Sequence, residues 1–419
     1  MLNNSLLSYL QKATIYEVNT RQFSVEGDFA SLQKHLPRLK EMGVDILWMM
    51  PVHPIGIRNR KGSLGSYYSS RDFFEVNPEY GTKEDFKNLV DEVHSLGMKI
   101  IIDWVANHAA WDNAWVETNP EYFLRDDSGN FVSPYDWSDV IQVNHAHEAA
   151  HDAMRSAMLY WIKTFDIDGF RADLAHLTPL HFWIRARQEA ELVKPGLIWL
   201  AETEDPEYYR AFDISYAWKW MHQSETFFRH GHSIDSLHTL LTGLQTSNLP
   251  TALQLYFTTN HDENSWNGTE YEKYGQYAKA LSVFSFTYPG AVPLIYSGQE
   301  IPNLRRLAFF DKDALEWNET PQLHAFYQTL TTWRRNNKAG DEMAFFHSDK
   351  RLLAFRRGSG EQVVLVFLNL DKEPIDHIID AGQANGRYRN VFSGELVFID
   401  DDHVITLAPG EYLVLDKTA

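Results

Sequence analysis

The sequence contains no cysteine among its 419 residues. This absence excludes disulfide bonds, thiol nucleophiles and zinc sites with Cys ligands. Positive charge is scarce as well, because 57 Asp and Glu residues outnumber 38 Lys and Arg residues and give a formal net charge of −19. A surface of this sign repels a polyanion, so we expect no nucleic-acid partner; a neutral substrate fits the charge better.

Long apolar segments are also missing. No run reaches the length of a transmembrane helix, so we expect no membrane partner. The N-terminal segment MLNNSLLSYLQK has neither the basic region nor the unbroken apolar region of a signal peptide. The sequence therefore predicts a cytoplasmic protein, although removal of an earlier signal segment stays open. It gives no indication of the oligomeric state.

Apolar strand-like runs alternate with helical patterns over residues 1–343. Helical spacing of apolar residues predicts helices at 29–42, 83–96 and 149–165. Alternating strands and helices are typical of parallel βαβ units, and eight such strands predict a (β/α)₈ TIM barrel. The predicted strands lie at residues 14–19, 44–52, 99–105, 169–174, 198–203, 213–216, 252–260 and 293–299.

The pattern changes near Phe345, after which strand-like runs follow one another without helices. The runs at 352–357, 362–370, 387–392 and 403–417 are separated by Gly-containing turns. We therefore predict a catalytic barrel over 1–343 and a C-terminal antiparallel β-sandwich domain over 344–419. A long connection at about 109–148 is predicted to be a functional insertion in the barrel.

A metalloprotease-like motif occurs at residues 147–151, where His-Glu-Ala-Ala-His matches H-E-x-x-H. That motif places two His side chains on one helix face to bind zinc, but a third ligand is needed. The extended motif requires Gly and His where this chain has Met154 and Ala157. We interpret the match as accidental.

Four predicted barrel strands end in polar residues. The segments are DWVANH at 103–108, GFRAD at 169–173, AET at 201–203 and TTNHDEN at 258–264. The carboxyl ends of barrel strands meet at one rim, where barrel enzymes place their active sites. A single Asp or His at such a position is more often a cap or a core residue. The joint occurrence at four strand ends predicts a site.

The four segments, in this order, resemble the sequence motifs of the α-amylase family of retaining glycoside hydrolases. The resemblance implies a nucleophile at Asp173, a general acid/base at Glu202 and a third carboxylate at Asp262. It also implies substrate-binding roles for the residues Tyr68, His108, Arg171 and His261. Asn107 matches a residue that binds calcium in many members, so calcium is left open as a ligand and no other cofactor is expected.

These roles agree with the chemistry of retention. Cleavage with retention needs two carboxyl groups about 5–5.5 Å apart, one ionised and one protonated. Arg171 precedes Asp173 by two residues on a strand, so both side chains face the same side and the cation is expected to keep Asp173 ionised. Neighbouring carboxylates are expected to raise the pKa of Glu202.

The expected activity is hydrolysis of α-glucosidic linkages, with α-1,4 linkages favoured, in maltooligosaccharides or starch-derived glucans. Two alternatives stay open. A transglycosylase would use the same residues and pass the glycosyl group to a sugar, and a catalytically inactive relative would only bind carbohydrate. Because the chain retains all three carboxylates, the inactive relative is the least favoured.

Overall fold

The computed structural model describes residues 4–247, 252–379, 384–400 and 402–418. Eight parallel strands form a closed barrel in which each strand pairs with its neighbours along the chain. The predicted barrel is therefore confirmed, and all eight predicted strands are present. The barrel strands are β1 Ile15–Val18, β2 Ile46–Met49, β3 Lys99–Trp104, β4 Gly169–Ala172, β5 Ile198–Ala201, β6 Ile214–Tyr216, β7 Leu253–Tyr256 and β8 Ala291–Tyr296.

Helices surround this barrel. The helix predicted at 29–42 is two helices, because Pro37 lacks the N–H that a continuous helix needs and stands instead in the first turn of the second one. The described α-helices are Asn4–Leu10, Thr20–Phe23, Phe29–Gln33, Leu36–Met42, Lys83–Ser95, Ala114–Thr118, Glu148–Phe165, Leu180–Val193, Trp218–His230, Asp235–Ser247, Glu270–Tyr274, Ala278–Thr287 and His324–Asn336. None of the described helices is long and apolar enough to cross a membrane.

Side chains along each barrel strand point alternately into the barrel and out towards the helices. Inward-facing residues such as Ile15, Ile46 and Ile101 form one buried cluster inside the barrel. Outward-facing residues such as Tyr16 and Leu47 pack under the helices in a second, larger cluster. The same alternation continues to the carboxyl ends, where the inward positions become polar.

The insertion at 109–148 is folded against this rim. The strands His108–Ala110 and Val140–Gln142 pair as an antiparallel ribbon. Helix Ala114–Thr118 lies between them along the chain. The ribbon begins four residues after β3 ends, so the insertion is held directly beside a barrel strand end.

The C-terminal region is formed by antiparallel sheets, as predicted. The predicted strand at 403–417 is two strands, because the chain turns at Gly410, where φ is +75°. Phe355 packs against Phe284 of the barrel, so the two parts share a core. The division at residue 343 stays a prediction. The strands are β9 Met343–Phe345, β10 Leu352–Ser359, β11 Gln362–Asn369, β12 Ile375–Ile378, β13 Gly386–Asn390, β14 Leu396–Ile399, β15 Val404–Leu407 and β16 Tyr412–Lys417.

Candidate active site

Arg171 occupies the centre of the polar rim and is completely buried. Its Nη1 donates to Asp103 at 2.9 Å and to Asp173 at 3.0 Å. Its Nη2 lies 2.8 Å from Oε2 of Glu202. The predicted nucleophile and the predicted acid/base therefore face each other across one guanidinium group.

The two carboxyl groups are held differently. Oδ1 of Asp173 accepts the hydrogen bond from Arg171, and Oδ2 has no hydrogen-bond partner in the described part of the chain. Oε2 of Glu202 accepts from the backbone N–H of Leu174 at 2.8 Å. Leu174 has a positive φ of 40°, an unfavourable conformation for a branched residue that turns the chain directly after Asp173.

Burial controls the protonation of this pair. Burial, with help from the neighbouring carboxyl group of Glu202, raises the pKa of Asp173 well above its usual value against the opposing charge of Arg171. Burial also raises the pKa of Glu202, with a smaller contribution from Asp262. The expected rise for Glu202 is present, but the guanidinium does not offset the burial of Asp173. The two carboxyl groups lie against the same cation, so they titrate as a pair and can share one proton.

Tyr68 and His261 link the carboxyl group of Asp103 to that of Asp262. The phenol of Tyr68 donates to Oδ2 of Asp103 at 3.0 Å and lies 2.7 Å from Nε2 of His261. The two rings are stacked, with centroids 5.3 Å apart. Nε2 of His261 also lies 3.2 Å from Oδ2 of Asp262. Burial favours the neutral acid of Asp262, but the imidazole charge outweighs it and lowers the pKa.

A cavity of about 530 Å³ opens above these groups. Five of the seven predicted site residues line it: Tyr68, His108, Asp173, Glu202 and Asp262. Arg171 and His261 lie behind this layer with at most 1% of their surface exposed, so they contact lining residues and are not part of the cavity wall. Burial lowers the pKa of His108 to about 4, which leaves a neutral imidazole at the wall.

The outer walls of the cavity are formed by residues that were not predicted from the sequence. On one side, the insertion contributes Trp137, which packs against His108, and Asp139, which pairs with Lys61 at 2.9 Å. The other side is aromatic and comes from two segments after β7 and β8. Its members are Trp266, Phe309 and Phe310. Trp266 is 55% exposed, which is the signal of a ring available to a ligand.

Asn107 is buried, and its Oδ1 has no hydrogen-bond partner among residues that the structure describes. Calcium requires six to eight oxygen ligands, several of them usually carboxylates. Within the described ranges, no three His, Cys, Asp or Glu side chains form a group that would hold a metal ion. The described structure therefore provides no cluster of carboxylates around Asn107 that would bind calcium. The same finding applies to the His-Glu-Ala-Ala-His motif, whose first His precedes the helix that begins at Glu148.

The barrel and its paired carboxyl groups define a (β/α)₈-barrel glycoside hydrolase. A family model described as "Alpha amylase, catalytic domain" matches residues 12–131. The crystal structure of the noncanonic maltogenic α-amylase AmyB from Thermotoga neapolitana is 32% identical with a TM-score of 0.89, and the alignment covers 98% of this chain and 99% of that one. This chain belongs to the α-amylase family.

Two curated relatives are more distant. Alpha-amylase 2 of Dictyoglomus thermophilum is 25% identical over 92% of this chain and 70% of its own length. A cyclomaltodextrinase of a Bacillus species is 25% identical over 83% of this chain, which spans 66% of that enzyme. The chain is therefore shorter than both.

Proposed function

We propose that this protein hydrolyses α-1,4-glucosidic linkages in maltooligosaccharides or starch-derived glucans, with retention of configuration. One observation carries the proposal: Asp173 and Glu202 contact two nitrogens of the same guanidinium and line the same cavity. The names of the relatives support the substrate class. They include α-amylases, cyclomaltodextrinases and maltogenic amylases.

We assign the negative charge of the pair to Asp173. Its contact with Nη1 of Arg171 is an aligned, charge-assisted hydrogen bond, whereas the Nη2 contact with Glu202 lacks hydrogen-bond alignment. The free Oδ2 of Asp173 attacks the anomeric carbon. As that bond forms, the bond from the anomeric carbon to the leaving oxygen breaks, and Glu202 gives its proton to that oxygen.

The second step reverses these roles. Glu202, now ionised, removes a proton from a water molecule whose oxygen attacks the anomeric carbon. The ester bond to Asp173 breaks, and its carboxylate is restored. The two attacks come from opposite faces of the sugar ring, and each inverts the anomeric carbon. The product therefore keeps the α configuration.

The remaining site residues are assigned to the sugar. Tyr68 lines the cavity with its ring and is proposed to stack under the sugar at the cleavage point. Asp262 is half-buried and is proposed to accept hydrogen bonds from sugar hydroxyl groups. The neutral His108, which lines the same cavity, is proposed to bind sugar hydroxyl groups as well. Arg171 is proposed to act through the carboxylates that it contacts.

Transglycosylation is a second candidate, since a sugar hydroxyl group can replace water in the second step. One relative, an α-1,4-glucan:maltose-1-phosphate maltosyltransferase of Picrophilus torridus, is 28% identical over 46% of this chain. The exposed Trp266 at the cavity edge would suit an acceptor sugar. A cytoplasmic location is also proposed, supported by a Bacillus subtilis relative called intracellular maltogenic amylase; cell fractionation would test it.

The proposal is tested by incubating the protein with maltotriose, pullulan, cyclodextrin and sucrose and separating the products. Hydrolysis of the α-1,4-linked substrates, with the α anomer appearing first in a proton NMR time course, is the expected result. Longer oligomers as the main product at high maltotriose concentration would favour the transglycosylase. A β anomer as first product, or activity on sucrose alone, would contradict the proposal.

A further inference from the structure

Glu17 is a carboxylate at the rim to which the proposed reaction gives no role. It lies on β1, is completely buried, and its Oε1 contacts Nδ1 of His261. Its other oxygen, Oε2, has no hydrogen-bond partner within the described ranges. Burying a carboxylate in this way costs folding free energy, which is typical of residues that serve function rather than stability.

Hydrogen-bond directions determine the charge of His261. Oδ2 of Asp103 can only accept, so the phenol of Tyr68 donates its proton there. The phenol oxygen must then accept from Nε2 of His261, 2.7 Å away. Nδ1 faces Glu17, whose pKa burial raises against the opposing charges of His261 and Arg171. When Glu17 is ionised it can only accept, so Nδ1 donates as well. An imidazole that donates from both nitrogens is positively charged.

The surroundings of the ring favour this charge. Burial alone would lower the pKa of His261, but the carboxylates of Asp262 and Glu17 outweigh it and raise the pKa well above its usual value. Trp48 packs edge-on against the ring and adds no charge. The titratable groups around His261 are Glu17 on β1, Tyr68, Asp103 on β3, Arg171 on β4, Glu202 after β5 and Asp262 after β7.

We propose that Glu17 is a positioning residue that holds His261 as an imidazolium ion, through which Tyr68 and Asp262 are fixed at the wall of the cavity. This inference rests on the proposed function, because Tyr68 and Asp262 are assigned to the sugar. His261 transmits the effect since it contacts both of these lining residues but does not line the cavity. Loss of its proton would remove the donor to Tyr68 and the cation beside Asp262.

The test is Glu17→Gln, which keeps the size and an oxygen that accepts from Nδ1 but removes the charge. We expect kcat/KM for maltotriose to fall by about 10- to 100-fold above neutral pH, by analogy with carboxylates that orient metal-binding imidazoles. Activity should recover as the pH falls, because a lower pH restores the proton that the imidazole holds less tightly without Glu17. The alkaline limb of the pH profile therefore moves to lower pH.

Glu300→Gln is the matched control. Glu300 is also completely buried at the barrel rim, but it accepts from Tyr16 and pairs with Arg38. Its replacement should leave the alkaline limb where the wild type has it. A loss in Glu17→Gln by the same factor at every pH would show a merely structural role and overturn the inference.

A second measurement does not depend on folding of Glu17→Gln. In wild-type protein with ¹³C-labelled histidine, the His261 resonance is identified by its absence from His261→Gln. We expect the shift of an imidazolium ion to persist above pH 8, and a titration near the ordinary value of about 6.5 would overturn the inference. If the wild type does not hydrolyse maltotriose, the proposed function fails, whereas this titration still decides the charge of His261.

Discussion

Replacing Asp173 with asparagine should lower the activity and raise the stability of the protein. Burial and the neighbouring carboxyl groups raise the pKa of Asp173 in the folded state. At any pH above the pKa of Asp173 in the unfolded chain, this shift therefore costs folding free energy. Each unit of that rise corresponds to about 1.4 kcal/mol. Asparagine keeps an oxygen that can accept from Arg171 and carries no charge.

We expect Asp173→Asn to lose on the order of 10⁴- to 10⁶-fold in kcat, as removal of a catalytic nucleophile does. Its free energy of unfolding at pH 7 should rise by about 1 kcal/mol, which is within the range of single stabilising substitutions. The gain should shrink as the pH falls towards 4, because Asp173 then becomes neutral in both states. Initial rates on maltotriose and guanidinium unfolding followed by tryptophan fluorescence measure the two effects.

Asp168 provides a control with the opposite sign at the other end of β4. It is buried as well, but Lys99, Lys194 and the N–H of Ile100 outweigh its burial and lower its pKa. When folding lowers the pKa of a carboxyl group, the group adds stability at pH values above its pKa in the unfolded state. This stability is lost as the pH falls through its pKa in the folded state. Asp168→Asn should therefore lose about 1.5–3 kcal/mol at pH 7 and keep its activity.

The reasoning would be refuted if Asp173→Asn were less stable than the wild type at pH 7, since burial would then not dominate its ionisation. Turnover near the wild-type rate would instead remove Asp173 from the reaction. A loss of activity in Asp168→Asn under conditions where it stays folded would mean that the two ends of the strand are not functionally distinct.

Three further variants test single roles. Glu202→Gln should lose most activity on maltotriose but much less on an aryl glycoside, whose leaving group needs no proton; equal losses would argue against the acid role. Tyr68→Phe keeps the ring and removes the bridge between two partners, so its kcat should fall less than that of Tyr68→Ala, and equal rates would deny the stacking role. Trp266→Ala should change the product lengths seen by chromatography and leave the unfolding midpoint unaltered, whereas an unchanged product pattern would show that the ring does not contact sugar.

Much of this fold was predictable because its main signal is local. Strand and helix periodicities are properties of short segments, so all eight barrel strands could be found, and four of their ends displayed polar residues in the same register. Errors arose where one residue changed the backbone. Pro37 divides a predicted helix, and the turn at Gly410 divides a predicted strand.

The missing parts of the site depend on contacts between distant segments. Glu17 and His261 are 244 positions apart, and an isolated Glu on an apolar strand carries no sign of its partner. Trp266 and Phe309 come together from two different connections. The balance between burial and the charge of Arg171 also escaped prediction, because desolvation depends on everything that surrounds Asp173.

The charge at the rim is unbalanced in a way that the proposed reaction would use. Among the described groups that contact Arg171 or His261, carboxyl groups outnumber cations, which are Arg171 itself and, in the proposed state, His261. The carboxyl groups are Glu17, Asp103, Asp173, Glu202 and Asp262. A neutral sugar does not relieve this excess, whereas an oxocarbenium-like ring brings positive charge between Asp173 and Asp262. Interactions that strengthen only at that stage accelerate the chemical step, so the same burial that destabilises the fold would stabilise the transition state.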